Sequence, residues 1–227
     1  MRFSLVIPAY NESSSLTSAI SPLMDEIEKV ETDFEIILVD NGSTDDTRER
    51  LAGLEKIFPR LKTVRVFPNQ GYGNGILAGL KSARGEIIGW THADNQIAPA
   101  DIVRAYQKML NENLQLCKAV RKERESGWRR TQSRAYNFIF HRLFKSGLRD
   151  INSPPKIFSR SLYEKINLCS LGWFIDPELV IKALREGAKI GEVEISWKPR
   201  EGSRSKVSLT ASLDFLFNMI KYRLNFD

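Results

Sequence analysis

Short apolar or β-branched runs occur at 3–7 (FSLVI), 34–39 (FEIILV), 62–67 (KTVRVF) and 86–90 (EIIGW), and a helical pattern follows each one. After a cap at Ser13 or Ser14, the first helix places Leu16, Ile20, Leu23 and Ile27 on one face. Pro22 predicts a kink there or the helix's true start. The second helix is predicted from Ser43 or Thr44, with Asp45 and Asp46 in its first turn and Leu51, Leu54 and Phe58 on its apolar face. Alternation of this kind predicts an α/β fold, a mostly parallel sheet flanked by helices. Ligands of such sheets bind beyond the carboxyl ends of the strands. Segments 8–12, 40–45, 69–75 and 92–96 follow the four strands and are expected to share one edge.

The fourth of these segments changes character abruptly. The run G-E-I-I-G-W ends in T-H-A-D-N-Q, with His92, Asp94 and Gln96 at alternating positions. On an extended chain alternate residues point the same way, so imidazole, carboxylate and amide can converge on one cation or polar ligand. Asp94 could equally hold a turn before the next helix, whose first turn suits Asp101 after Pro99.

At 227 residues and 42% hydrophobic content, the chain can bury a substantial core as one domain with a helical extension. Lys and Arg number 34 against 28 Asp and Glu, a formal charge of +6 that favours anionic partners. The basic residues Lys118, Arg121, Lys122, Arg124, Arg129, Arg130 and Arg134 crowd one stretch. They suit a solvated loop or a diphosphate. Trp128 is the only aromatic residue within 118–134, too few for a stacking platform, and no nucleic acid is expected. Cys117 and Cys169 lack metal spacing and are expected as free thiols in a reducing compartment. The N-terminus reads as a first strand and not a signal peptide, and no stretch is long enough to span a bilayer, so a cytoplasmic location is expected. The tail 209–224 carries Leu209, Leu213, Leu216, Phe217, Ile220 and Leu224 at helical spacing, with Lys221 and Arg223 near its end. Such a helix can pack on the sheet or lie on an acidic membrane surface.

The segment P-A-Y-N-E at 8–12, Asp40 at the head of D-N-G-S-T-D-D-T, and the glycine-rich N-Q-G-Y-G-N-G at 69–75 together resemble the family 2 glycosyltransferases of GT-A fold. Farther on, A-V-R-K-E-R, R-D-I-N-S-P-P-K-I-F, F-I-D-P-E-L and R-E-G-S-R-S-K resemble the dolichyl-phosphate mannosyltransferase branch, which moves sugar onto polyprenyl phosphates. The resemblance covers nearly the whole chain. It implies a GT-A domain over 1–208, with a nucleotide-sugar half at 1–117 and an acceptor half at 118–208, followed by an amphipathic helix at 209–227.

The resemblance also implies site residues. Pro8, Tyr10, Glu12, Asp40, Asn41, Gly71, His92, Ala93 and Asp94 fall where the family binds the nucleotide-sugar. The family's Asp-x-Asp metal motif falls on His92, Ala93 and Asp94, with His in place of the first Asp, and Gln96 matches a further metal position. Asp94 is then the principal contact of a divalent cation, Mg²⁺ or Mn²⁺, with His92 and Gln96 as ligands or neighbours of ligands. Arg121, Arg134, Arg200 and Lys206 become candidates for donor diphosphate or acceptor phosphate, and Asp94 and Asp150 for catalytic carboxylates. The family's Gly-aromatic pair is replaced by I-N-S-P-P after Asp150, whose prolines restrict the backbone and predict a different acceptor loop.

The implied reaction is inverting transfer from a GDP- or UDP-sugar to a polyprenyl phosphate at the cytoplasmic membrane face. A hydroxyl acceptor would need a base, for which Asp150, or Asp176 with Glu178, are candidates. A transferase acting on a hydroxyl in polysaccharide synthesis and an inactive nucleotide-sugar-binding module are the alternatives. A dinucleotide oxidoreductase is disfavoured, because Gly71, Gly73 and Gly75 are followed by Ile76 where G-x-G-x-x-G requires glycine.

Overall fold

The structure is a computed structural model that describes residues 1–122, 127–198 and 209–224. Strands β1 (Phe3–Ala9), β2 (Phe34–Asp40), β3 (Leu61–Arg65) and β4 (Ile87–Trp90) alternate with helices α1 (Leu16–Glu28), α2 (Thr47–Ile57), α3 (Tyr72–Ser82) and α4 (Pro99–Asn111). Then follow β5 (Leu116–Arg121), α5 (Gly127–Phe144), β6 (Lys156–Ser159), α6 (Arg160–Lys165), α7 (Ile175–Arg185), β7 (Ile190–Ile195) and α8 (Leu209–Leu224). The seven strands form one sheet in the order β3-β2-β1-β4-β6-β5-β7. Only β6 runs antiparallel to its neighbours, β4 and β5. The mostly parallel α/β sheet agrees with the sequence pattern.

Strand alternation divides the core into two layers. Leu5, Ile7, Ile36 and Leu38 face α1 and α4, where Leu16, Ile20, Ile102 and Tyr106 meet them. Val6, Ile37 and Val39 face the opposite way, toward Ile76 and Leu80 of α3 and Leu179 of α7. Strands buried on both faces read as unbroken apolar runs, which is why β1 and β2 were visible in the sequence.

Two helix starts differ from expectation. Helix α2 begins at Thr47, because Ser43 N–H is held by the Asp40 carboxylate at 2.9 Å and Thr44 N–H by Asn11 Oδ1 at 2.9 Å. Helix α1 begins at Leu16 after Ser15, beyond the expected caps Ser13 and Ser14, and Pro22 lies inside it without marking its start. Its ring is exposed, so water can serve the carbonyl it frees, while Leu16, Ile20, Leu23 and Ile27 anchor the buried face. Helix α8 meets α5, and Met219 is buried with Phe140 and Phe174. Phe217, Ile220 and Leu224 of the same helix are exposed.

Candidate active site

The ends of β1 and β2 are stapled together. Asn41 N–H donates to Ala9 O at 2.9 Å. Asn11, with φ +53°, donates its N–H to Ser43 Oγ at 3.1 Å and its amide to Thr44 Oγ1 at 3.2 Å. Glu12 N–H donates to Thr47 Oγ1 at 2.9 Å. These bonds fix Asp40, Asn41 and the 8–12 segment as one rim. Asp40 is buried and its second oxygen lies 3.7 Å from Arg65 Nε, whereas Tyr10 stands exposed at the edge.

The glycine-rich segment closes the second side. Asn41 Nδ2 donates to Gly71 O at 2.9 Å, and Asn74 N–H to Leu171 O at 2.9 Å. Gly73 lies so close to the 170–172 segment that a Cβ there would sit 2.1 Å from Ser170 O. Glu178 holds that segment from below, accepting from Cys169 N–H at 3.0 Å and Ser170 N–H at 2.8 Å. Burial raises the pKa of Glu178, but bonds from Lys182, Ser170 and Tyr222 outweigh it and hold the carboxylate below its ordinary range. Tyr72, the first residue of α3, stacks on Trp173 with centroids 4.5 Å apart.

His92 and Asp94 lie beyond β4, in the angle between these two sides. His92 Nε2 is 3.0 Å from the Tyr72 hydroxyl, and His92 Nδ1 is 3.9 Å from Asp94 Oδ2. Asp94 also accepts Gln96 N–H at 3.3 Å, so it shapes the turn as well as facing the site. The expected convergence of three side chains fails at Gln96. Asn95 adopts φ +57°, which breaks the extended alternation. The Gln96 amide instead donates to Lys198 O at 3.0 Å, beside the bridge between Ile97 and Trp197. Ala93 is buried.

Across the site stands an ion pair. Asp150 accepts from Arg121 at 2.8 Å (Nε), 2.7 Å (Nη2) and 3.1 Å (backbone N–H), with both side chains largely buried. The guanidinium also lies 4.8 Å from the centre of the Trp197 ring, and Trp197 packs edge-on to His92 at 6.3 Å. Asp150 occupies φ +44°, and its loop is held by Asn137 on Ile151 N–H at 3.2 Å and by Lys156 on Ser153 O at 3.1 Å.

Two fully buried lysines sit beneath this loop. Lys156 pairs with Asp176 at 2.8 Å, and Trp90 Nε1–H donates to the same carboxylate at 3.2 Å. Lys118 meets Arg149 O and Glu192, and burial pushes its pKa down to about 8. Lys118 is therefore a structural cation and not a phosphate ligand, contrary to one reading of the basic run. The base candidates are engaged too: Asp150 by Arg121, Asp176 by Lys156 and Trp90, Glu178 by the 169–170 backbone. Arg134 is exposed on α5, while Arg200 and Lys206 lie outside the described residues.

Three aromatic residues of the site, Tyr72, Trp173 and Trp197, were not singled out from sequence. Tyr72 had a signal, an aromatic ring inside G-Y-G-N-G. Trp197 had none, since it reaches His92 through pairing of segments about a hundred residues apart. Both cysteines are free, as expected; Cys117 is buried, and Cys169 is exposed and contacts Glu178 at 3.2 Å.

Comparison with known proteins identifies the family. The model of glycosyl transferase family 2 matches residues 4–167. Dolichyl-phosphate beta-glucosyltransferase ALG5A of Trichomonas vaginalis is 29% identical over 223 residues, covering 90% of this chain and 68% of that protein. Undecaprenyl-phosphate 4-deoxy-4-formamido-L-arabinose transferase of Serratia proteamaculans is 28% identical, covering 96% of this chain and 67% of that protein. The chain thus spans about two thirds of these relatives' length. Among solved structures, Mycobacterium tuberculosis glucosyl-3-phosphoglycerate synthase with Mn²⁺, UDP-glucose and phosphoglyceric acid superimposes with a TM-score of 0.78 at 20% identity. That match covers 99% of this chain and 80% of the synthase. The strand-tip rim, the glycine-rich helix start and a family match spanning well over half of the sequence lead to one conclusion: the chain belongs to glycosyl transferase family 2.

Proposed function

We propose that the protein transfers a sugar, with inversion, from a UDP- or GDP-linked donor to a polyprenyl phosphate. The observation that carries the acceptor class is the state of the three carboxylates considered as bases. Asp150, Asp176 and Glu178 each accept hydrogen bonds from a cation and from other donors. A hydroxyl acceptor must lose its proton to a positioned base, whereas a phosphate monoester is already ionised near neutral pH. A site whose carboxylates are committed to cations suits the second. Two relatives whose names specify dolichyl phosphate and undecaprenyl phosphate support the same reading.

The donor fits the rim formed by residues 8–12, Asp40, Asn41 and the start of α3. Tyr10 offers an exposed ring to a base, and the buried Asp40 offers a carboxylate oxygen to a nucleoside hydroxyl or amide. The residues near Asp94 fit a hard cation: a largely buried carboxylate at a strand tip with an imidazole beside it. Among the described residues no cluster of three His, Cys, Asp or Glu encloses a metal, so donor phosphates would complete the coordination. When bound, Mg²⁺ or Mn²⁺ neutralises charge that builds on the departing diphosphate. Arg121, held rigid between Asp150 and Trp197, supplies a fixed positive charge on the acceptor side. Arg134, Arg200 and Lys206 remain candidates for phosphate contact.

The exposed face of α8 suits the surface on which such an acceptor is found. Phe217, Ile220 and Leu224 face solvent, with Lys221 and Arg223 in the last turn. Among the described residues no helix is long and apolar enough to cross a membrane. Peripheral contact at the cytoplasmic face follows from this reading.

Radiolabelled UDP- and GDP-sugars incubated with polyprenyl phosphate and Mn²⁺ test it. The expected product is lipid-extractable, needs the cation and disappears in Asp94→Ala. A product confined to water-soluble or protein hydroxyls would move the assignment to polysaccharide synthesis. Donor binding without turnover or cation dependence would mark an inert binding module.

A further inference from the structure

The motif F-I-D-P-E-L opens α7 with two carboxylates, Asp176 and Glu178, on either side of Pro177. Residues two apart on an α-helix project about 200° from one another, so these side chains leave opposite flanks of the first turn. Pro177 is tolerated between them, because a first-turn residue has no intrahelical partner for its N–H. Both carboxylates are buried, and each serves a different side of the site.

Glu178 turns to the donor side. Its Oε1 accepts from Lys182 Nζ at 2.7 Å, the Tyr222 hydroxyl at 2.8 Å and Cys169 N–H at 3.0 Å, and its Oε2 accepts from Ser170 N–H at 2.8 Å. The segment so held presents carbonyls to the glycine-rich helix start. Leu171 O accepts Asn74 N–H at 2.9 Å, and a Cβ on Gly71 would lie 2.5 Å from the same oxygen. Asp176 turns the other way. Its Oδ1 accepts from Lys156 Nζ at 2.8 Å and from Trp90 Nε1–H at 3.2 Å. The same ammonium donates to Ser153 O at 3.1 Å, and Ser153 N–H donates to Asp150 O at 3.0 Å. Asp150 is the residue that grips Arg121. Segments 150–155 and 169–172 belong to no strand or helix, so bonds of this kind set their paths.

We propose that Asp176 and Glu178 are positioning residues with separate duties: through Lys156, Asp176 sets the 150–155 loop and with it Arg121 for the acceptor, while Glu178 sets the 169–172 segment against the start of α3 for the donor. The inference rests on the glycosyl transfer proposed above and divides its site between two side chains of one helical turn. Neither carboxylate then serves as base. Tyr222 brings α8 into the donor side, since its hydroxyl is one of the donors that Glu178 collects.

Substrate constants separate the two duties. Tyr222→Phe removes one donor to Glu178 and keeps the ring. With Glu178→Gln, it should weaken binding of UDP or GDP in the presence of Mn²⁺ about five- to tenfold in calorimetry, leaving the KM of a short polyprenyl phosphate within about twofold. Asp176→Asn combined with Lys156→Met removes both charges of a buried pair, so no lone charge stays in the core. That double variant should raise the KM about tenfold and leave nucleotide binding unchanged. Equal losses in both constants from both sets of variants would reduce the carboxylates to general supports of the fold and overturn the proposal. A kcat lower by about a thousandfold in the double variant, with both constants retained, would make Asp176 the base and overturn it too. Amide hydrogen exchange of the full chain reads the same division without substrate. Ser170 and Asn74 should exchange faster in Tyr222→Phe and Ser153 should not, whereas the double variant should quicken Ser153 alone. Exchange that quickens at all three in either variant contradicts the division. A parent that binds neither UDP nor GDP would count against the proposed transfer alone, because exchange still decides which segment each carboxylate holds.

Discussion

At the scale of single residues, Asp150 separates a catalytic base from a positioning group. Its oxygens accept three N–H groups of Arg121, and its backbone is held at φ +44°. Asp150→Asn replaces one acceptor oxygen by a donor that faces the guanidinium, so Arg121 loses its two-point hold. The expected result is a kcat lower by about 10- to 100-fold, with the acid limb of the pH–rate profile retained. Loss of that limb in the variant would instead identify Asp150 as the base. Residues such as Asp40 and Asp94 were legible in the sequence because a lone carboxylate after an apolar run marks a strand tip. Gln96 was not, because the left-handed turn at Asn95 is a local choice of backbone that alternation cannot foresee. Tyr72 and Trp197 take their roles from contacts across the fold, which no local pattern encodes.

At the scale of elements, the start of α3 and the 170–172 segment behave as one unit. Gly73→Ala drives a methyl group to 2.1 Å from Ser170 O, a clash with backbone that no rotamer relieves. It should cost about 3 kcal/mol in chemical denaturation and weaken donor binding, because Asn41 and Tyr72 lose their register. Gly172→Ala, with nothing within 4 Å of the added carbon, should change stability by less than about 0.5 kcal/mol. Equal effects of the two would refute this account of the contact. Glu178 joins that segment to α7 and α8 through Lys182 at 2.7 Å and Tyr222 at 2.8 Å. Its pKa is held below the ordinary 4.5, so the stability it contributes is present above that value and is lost as pH falls through the lowered one. Glu178→Gln should lose about 3 kcal/mol at pH 7 and show a flatter acid denaturation curve than the parent. An unchanged acid limb would exclude Glu178 as a contributor. The elements most legible in the sequence were those whose surroundings are apolar. The start of α2 was not, since Ser43 and Thr44 serve the Asp40 and Asn11 turns instead of capping a helix.

At the scale of the whole molecule, the half read least well is the one after residue 117. Strands β5 and β6 contain Lys118 and Lys156, both fully buried, and these charges interrupt the apolar runs by which strands are recognised. Each lysine is tolerated because a carboxylate, Glu192 or Asp176, and loop carbonyls take its protons' hydrogen bonds. The antiparallel insertion of β6 between β4 and β5 was equally invisible, since nothing local to K-I-F-S records direction. The tail was legible as an amphipathic helix, and its packing through Met219 leaves Phe217, Ile220 and Leu224 exposed. Met219 faces the core, while Phe217, Ile220 and Leu224 recur on an open face at helical spacing. Apolar side chains that gain nothing from the fold can gain from a bilayer, at about 1.5 kcal/mol or more each when fully buried. Lys221 and Arg223 add attraction to anionic headgroups, and the formal charge of +6 acts in the same sense. The protein should therefore sediment with anionic lipid vesicles, less at high salt. Phe217→Ser combined with Leu224→Ser should weaken that partition about 100-fold without lowering the melting temperature, because both side chains are exposed in the folded state. If the double variant sediments as the parent does, the α8 face is not the membrane contact. If it partitions weakly yet transfers sugar normally to a short, water-soluble polyprenyl phosphate, α8 recruits the surface and the sheet edge performs the chemistry.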